Sequence, residues 1–337
     1  MTLRQVNFLN IALMLAATAV AFAVPFQLFL LAYAILGPLH YLTQISWLHS
    51  RSYFTPGKSD HLVLGAMTAV LLALKYVAVD RYGLVGVVPW AAGLVILSLA
   101  ASAAMVLQSG LAARAALIAA AVAVAPLIVS GNAAQALLLT MLPTLIHVYC
   151  FTALFMLYGA LRGRSPSGAA QLAVFVACSA SFFLVGGGPS AMPGQYVHDT
   201  YEMFAPVNVS LAGFLGISGI DQPDAVYVSP AGVALMRFIA FAYTYHYLNW
   251  FSKTSVIQWH KVPRAWSIAN IVLWIASVSL YAWDYGTGLI VLFSLSWLHV
   301  YLELPLDFRT AAGVGQELRS IAQGRSARVA LGAAGQR

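Results

Sequence analysis

Formal charge is scarce in this sequence: Lys, Arg, Asp and Glu make up 8% of 337 residues. A soluble domain carries about 25%, so a chain this poor in charge cannot cover a water-facing surface. Intrinsic disorder is excluded over most of the length on the same ground, because 61% of the residues are hydrophobic. Cysteine is nearly absent. Cys150 and Cys178 stand alone in apolar stretches, with no C-x-x-C motif, which excludes a disulfide framework and a thiolate metal site. Both read as buried small hydrophobes. There is no cleavable leader pattern, so the N-terminus reads as a retained span. There is no internal repeat, and the clustered H-x(3,4)-H and H-x(2,3)-H-H boxes of membrane fatty-acid desaturases are missing.

What the sequence has instead is long apolar runs. A hydrocarbon core of about 30 Å needs about 20 apolar residues per helix. That ruler predicts an all-α, polytopic membrane bundle of ten spans: 5–24, 26–48, 61–79, 84–108, 111–129, 132–160, 169–187, 229–252, 265–283 and 285–304. Pro25 supports the first break, and Ser109-Gly110 and Gly131-Asn132 carry turn chemistry. With the N-terminus in the cytoplasm and sides alternating, fourteen of the seventeen basic residues fall on the cytoplasmic side. Lys75, Arg81 and Arg237 are the others. The positive-inside rule therefore places both termini in the cytoplasm, and the net charge of +7 reads as membrane topology, with no call for a nucleic-acid partner. Residues 1–307 form one transmembrane domain and 308–337 a basic tail, weakly helical on lipid or disordered. The loop 188–228 is acidic and faces outward. Its apolar, Gly-rich middle, Val209 to Ile220, is a candidate re-entrant segment, allowed only where protein or water satisfies its backbone.

Seven of the eight histidines fall in the cytoplasmic half. His40, His147, His246 and His299 lie inside four different spans, at depths of roughly 8–20 Å from the cytoplasmic surface at 1.5 Å per residue. Each alone could hydrogen-bond a neighbouring helix. Together, at a shared depth, they are candidate ligands of one metal in the bundle core. His299, Glu303 and Asp307 recur at i, i+4, i+8 on one helical face if Pro305 does not end the helix. Tyr243 is one turn from His246, a candidate hydrogen-bond donor to a ligand, and Glu303 the candidate catalytic carboxylate. His49, His260 and Asp307 are candidates for supporting or entrance positions. His260 shares a face with His246 only if that helix runs past Lys253. Arg237 needs a partner or water, and reads equally as a substrate contact or as an anchor for the long loop through Asp199 or Glu202. Gly37-Pro38 predicts a kink beside His40, with Gln44 one turn on. Trp47, Trp250, Trp259 and Trp297 read as an aromatic belt. The Ala-rich fourth and fifth spans carry no histidine and read as lipid-facing.

Imidazole with carboxylate suits iron, zinc, copper or manganese. The pattern points to a non-haem iron oxygenase or hydroxylase acting on a hydrophobic lipid, carotenoid or quinone-like substrate drawn from the bilayer. Two other classes stay open: a transporter or channel with a polar intramembrane site, and a b-type haem or quinone electron-transfer subunit, which needs two histidines opposed across a flat slot. Gly37-Pro38-Leu39-His40 and the aromatic run from Phe241 to His246 resemble two segments of the bacteriorhodopsin-related (Brp/Blh-like) membrane carotene dioxygenases, over about a tenth of the chain. That resemblance implies an iron enzyme with β-carotene as substrate and His40 and His246 among its ligands. The sequence departs from the family where an Asp-His pair would follow His40 and where a close histidine pair would mark the later segment.

Overall fold

The structure is a computed structural model, and it describes residues 1–107, 110–185 and 193–324. Among these residues there are helices and turns and no strand. The long helices are α1 (Leu3–Ala23), α2 (Pro25–Ser50), α3 (Asp60–Arg81), α4 (Val85–Leu107), α5 (Leu111–Ile128), α6 (Asn132–Gly163) and α7 (Pro166–Leu184). After a shorter α8 (Ala205–Leu215) come α9 (Pro230–Ser252), α10 (Arg264–Trp283) and α11 (Tyr285–Ala322). Each of the ten expected spans has its helix. Among the described residues nine helices are long and apolar enough to cross a membrane. The exception is α9, which is long enough at 23 residues but carries Arg237, Thr244, His246, Asn249 and several tyrosines.

The helix starts follow from local chemistry. Thr2 and Gln5 form a capping box at α1. Ser165, Ser229 and Asp284 each accept a backbone N–H at the start of α7, α9 and α11, and Pro166 and Pro230 follow as first residues. Val24 alone separates α1 from α2, and Pro25 opens the second helix.

The burial of α9 explains why it can be polar. Every residue of α9 from Gly232 to Tyr247 is buried, so this helix forms the axis of the molecule, packed by α1, α2, α6 and α7. In an apolar solvent helices gain little from hydrophobic contact with one another; packing and interhelical hydrogen bonds hold them, the bonds averaging about 0.6 kcal/mol each. Tyr245 is the hub of one such set, accepting from Gln171 at 3.1 Å and donating to Asn10 at 3.1 Å. Asn10 also receives Ser252 at 3.0 Å, and Asn7 reaches Ser167 at 3.0 Å. On the other flank Trp250 donates to Thr43 at 3.0 Å and Ser46 pairs with Asn270 at 3.1 Å.

Several expectations change here. The last helix does not stop near 304: Pro305 lies inside α11, which continues to Ala322, so the boundary expected at 307 falls within a helix. Its lower end is pinned by Arg164, whose guanidinium meets Glu317 at 3.1 Å. The part of the expected tail from 325 onward, Ser109, and the first residues of the 188–228 loop lie outside the described residues. Within that loop Ala205–Leu215 is a helix that packs on α9 and α6, with Asn208, Leu211 and Ala212 buried. The fifth span is exposed as expected, with only 6% buried, but α4 is 44% buried and packs on α3, α6 and α11. Cys178 is buried, whereas Cys150 is exposed. The tryptophans expected as a belt turn inward: Trp47, Trp250 and Trp297 are buried, with the indole N–H of Trp47 donating to the Ile257 carbonyl in the turn after α9 and that of Trp250 to the Thr43 hydroxyl.

Candidate metal centre

The four histidines carried by the long helices converge. His40 comes from α2, His147 from α6, His246 from α9 and His299 from α11. One ring nitrogen of each lies within 4.8 Å of the others, and all four rings are buried. The Nε2 atoms of His40 and His246 are 3.1 Å apart, as are those of His147 and His299. The rings meet edge to face around a closed circuit, His40 to His246 to His147 to His299 and back, with centroid separations of 4.7, 5.1, 4.9 and 5.4 Å.

Wide helical turns deliver two of these residues. Ala32–Leu36 is π-helical just ahead of Gly37-Pro38 and His40. Leu137–Phe151 is π-helical around Pro143 and contains His147. A proline removes a backbone donor and clashes with the carbonyl one turn back, and a π-helical turn absorbs the misfit.

Packing fixes the rings. Tyr41 stacks on His299 at 4.3 Å and its hydroxyl pairs with that of Tyr247 at 2.8 Å. Tyr247 and Trp250 lie against His40 at 5.4 and 5.5 Å. Gly37 makes the tyrosine pair possible, since a Cβ there would meet the Tyr41 and Tyr247 hydroxyls at 3.2 and 3.3 Å. Thr152 holds His246 by its other nitrogen, with Oγ1 2.8 Å from Nδ1. With Nδ1 donating to Thr152, Nε2 keeps its lone pair for the centre, the tautomer a metal ligand requires.

A carboxylate stands beside the nitrogens. Glu303 Oε2 is 3.7 Å from His147 Nε2, and both side chains are buried. The Gln44 side chain is a hydrogen-bond partner of Glu303. Asp307 follows one turn along α11, also buried, so the face His299, Glu303, Asp307 survives because α11 runs through Pro305.

Other candidates fall away from this group. Tyr243 packs among Phe29, Tyr33 and Tyr247, one turn removed from the imidazoles; the tyrosines that touch the rings are Tyr41 and Tyr247. His49 is exposed and belongs to a separate surface group, 3.2 Å from the Tyr53 hydroxyl and stacked on Trp266. His260 is exposed in the turn after α9, which ends at Ser252, so the shared face with His246 is lost. Arg237 is buried with its guanidinium 5.1 Å over the Phe22 ring; Asp199 and Glu202 are both exposed. Sequence reasoning passed over Tyr41, Tyr247, Trp250 and Thr152. Tyr41 adjoins His40 and Tyr247 adjoins His246, but adjacency along a helix does not say which ring a side chain will cover.

Four imidazoles at this spacing can hold a metal. With metal–nitrogen bonds of about 2.0–2.1 Å, neighbouring ligands stand roughly 3 Å apart and a trans pair about 4.1 Å apart. The two 3.1 Å pairs match the first value, and a separation of 4.8 Å has only about 0.7 Å to close. No protein-family profile, no curated protein and no solved structure matches this chain.

Proposed function

We propose that the protein is a membrane metalloenzyme, a non-haem iron oxygenase or hydroxylase that acts on a hydrophobic substrate taken from the bilayer. The observation that carries this reading is the convergence of four buried imidazoles from four helices, with a buried carboxylate beside them. Borderline nitrogen donors without thiolate favour iron, zinc, copper or manganese. Iron held by His40, His147, His246 and His299 would supply dioxygen activation beside a substrate bound in the apolar surroundings.

The protein's own share is orientation and dryness. Tyr41, Tyr247 and Trp250 wall the imidazoles, Thr152 holds the His246 ring by Nδ1, and Glu303 would offset part of a bound ion's charge. A lateral groove of about 500 Å³ runs between α2, α10 and α11, lined by Leu42, Ile45, Leu273, Leu295 and Leu298, with the Ser46–Asn270 pair in its wall. Leu298 and Leu295 are next to and one turn from His299. This groove is the proposed entrance for an apolar chain. A larger cleft of about 850 Å³ between α6 and α7 is not lined by any of the four histidines. The resemblance to membrane carotene dioxygenases supplies a first substrate to try, and the two histidines that carry it, His40 and His246, form one of the 3.1 Å pairs.

The geometry speaks against a b-type haem. A bis-imidazole haem requires a macrocycle slot between two opposed rings, whereas here two rings touch through their Nε2 atoms and the other two occupy the space beside them. The test is metal analysis with an optical spectrum on detergent-purified protein, alongside His147→Ala and His299→Ala. The expected result is one iron per chain, lost in both variants while thermal unfolding stays cooperative, and dioxygen consumption with a long polyene or lipid. Protein that stays metal-free after reconstitution with ferrous iron overturns the proposal.

A further inference from the structure

The polar layer beneath the histidines has donors of a different kind. Gln44 lies four residues after His40 on α2, and Glu303 four residues after His299 on α11. At 1.5 Å per residue both helices step from an imidazole to an oxygen donor about 6 Å further along. Asp307 extends the oxygen layer by one more turn, and electrostatic interaction couples it to Glu303. All three are buried, at 1%, 4% and 4% exposure.

This layer is short of partners. Gln44 Oε1, Glu303 Oε2 and both carboxylate oxygens of Asp307 are buried with no hydrogen-bond partner among the described residues. Ionised, two carboxylates on consecutive turns repel and are costly to bury without a compensating cation. The basic side chain nearest Asp307 in sequence, Arg309, turns away and donates to the Phe54 carbonyl at 3.2 Å. Neutralised by protons, the acids would become hydroxyl donors that still need acceptors. A cation satisfies the charge and the lone pairs together. The Gln44 amide can contribute its oxygen, which has no other hydrogen-bond partner among the described residues.

We propose that Gln44, Glu303 and Asp307 hold a second cation, a hard divalent ion of the Mg²⁺, Mn²⁺ or Ca²⁺ class, one helical turn from the four histidines. Carboxylate and carbonyl oxygens select such ions, as imidazoles select the later transition metals. The two layers thus sort two metals by donor type, with Glu303 at the boundary because its Oε2 also faces His147. The oxygen site does not depend on the identity of the ion in the histidine layer.

The probe is Mn²⁺. The detergent-purified full chain is stripped with chelator, given one equivalent of Zn²⁺ to fill the imidazoles, and titrated with Mn²⁺ while free Mn²⁺ is followed by electron paramagnetic resonance. One further Mn²⁺ per chain is expected in the wild type. Asp307→Asn and the gentler Gln44→Met are each expected to weaken Mn²⁺ binding at least tenfold with bound Zn²⁺ unchanged, and His147→Ala to lose Zn²⁺ while keeping Mn²⁺. If Asp307→Asn fails to fold, Gln44→Met decides. Absence of Mn²⁺ binding in the wild type, equal binding in the Gln44 and Asp307 variants, or Mn²⁺ lost with His147→Ala alone overturns the proposal. Failure of Zn²⁺ to bind, with Mn²⁺ still sensitive to Asp307, removes the histidine reading and leaves the oxygen site standing.

Discussion

His246 is gripped at both ring nitrogens, one by Thr152 and the other by His40. The Nδ1 atoms of His40 and His147 have no hydrogen-bond partner among the described residues, so those two rings are oriented by aromatic packing, whereas the His299 ring also has the backbone of Leu295 and Ser296 as partners. Thr152 therefore has an outsized part in presenting the ligand set. Partners of this kind are worth 10–100-fold in metal affinity. Thr152→Val, which keeps the shape and removes the oxygen, is expected to weaken metal binding by about tenfold or more, and Thr152→Ser to restore most of it. Competition against a chromophoric chelator reads the difference. Equal affinity in Thr152→Val would mean that packing and the Val148 carbonyl set the His246 ring. The residue scale also shows what the sequence could and could not reveal. Four histidines at one depth in four spans were legible, because depth follows from counting along apolar runs. Which aromatic covers which imidazole was not, because Tyr243 and Tyr247 differ only in how α9 is rotated, and its neighbours set that rotation.

At the scale of elements, the helices were legible and their irregularities were not. Hydrophobic length predicts a helix over 132–160 but says nothing of the π-helical turns at Leu137–Phe151, which arise where Pro143 is accommodated inside a packed bundle. The reach of α11 through Pro305 was also open, since proline ends some helices and is tolerated in others that neighbours support. The start of α9 shows how tightly elements dock. A Cβ on Gly232 would run into the backbone of the short Ala225–Val228 helix, with the Val226 Cα at 2.8 Å. Backbone cannot swing aside as a side-chain tip can. Gly232→Ala is expected to destabilise the protein by about 1–3 kcal/mol, the usual cost of overpacking, and to leave metal content unchanged, because Gly232 is fourteen residues, about 21 Å along the helix, from His246. Thermal unfolding in detergent and metal analysis on the same sample check both halves. An unchanged midpoint would show that the Ala225–Val228 segment yields easily.

The whole molecule puts its polar chemistry on an axis and its apolar helices outside. The most interior helix, α9, is the one whose hydropathy is too low for a span read in isolation, because its polar groups face protein on every side. That arrangement makes orientation in a membrane the remaining large-scale question, and the charge pattern predicts one orientation by a physical rule: basic loops stay on the side of synthesis. The turns after α2, α6 and α9 carry Arg51, Lys58, Arg162, Arg164, Lys253 and Lys261, whereas the connection from α7 to α9 carries Asp199, Glu202, Asp221 and Asp224. Cysteine substitutions at Lys261 and Asp224, in a chain with Cys150→Ala and Cys178→Ala, should separate the two faces. A membrane-impermeant maleimide is expected to label Asp224→Cys in intact cells, and Lys261→Cys only in inside-out vesicles. The reverse pattern would place the basic turns outside, and with them the ends of α2 and α9 nearest His40 and His246. The histidine and carboxylate layers would then open away from the cytoplasm, and any metal ion they hold would have to come from the other side of the membrane.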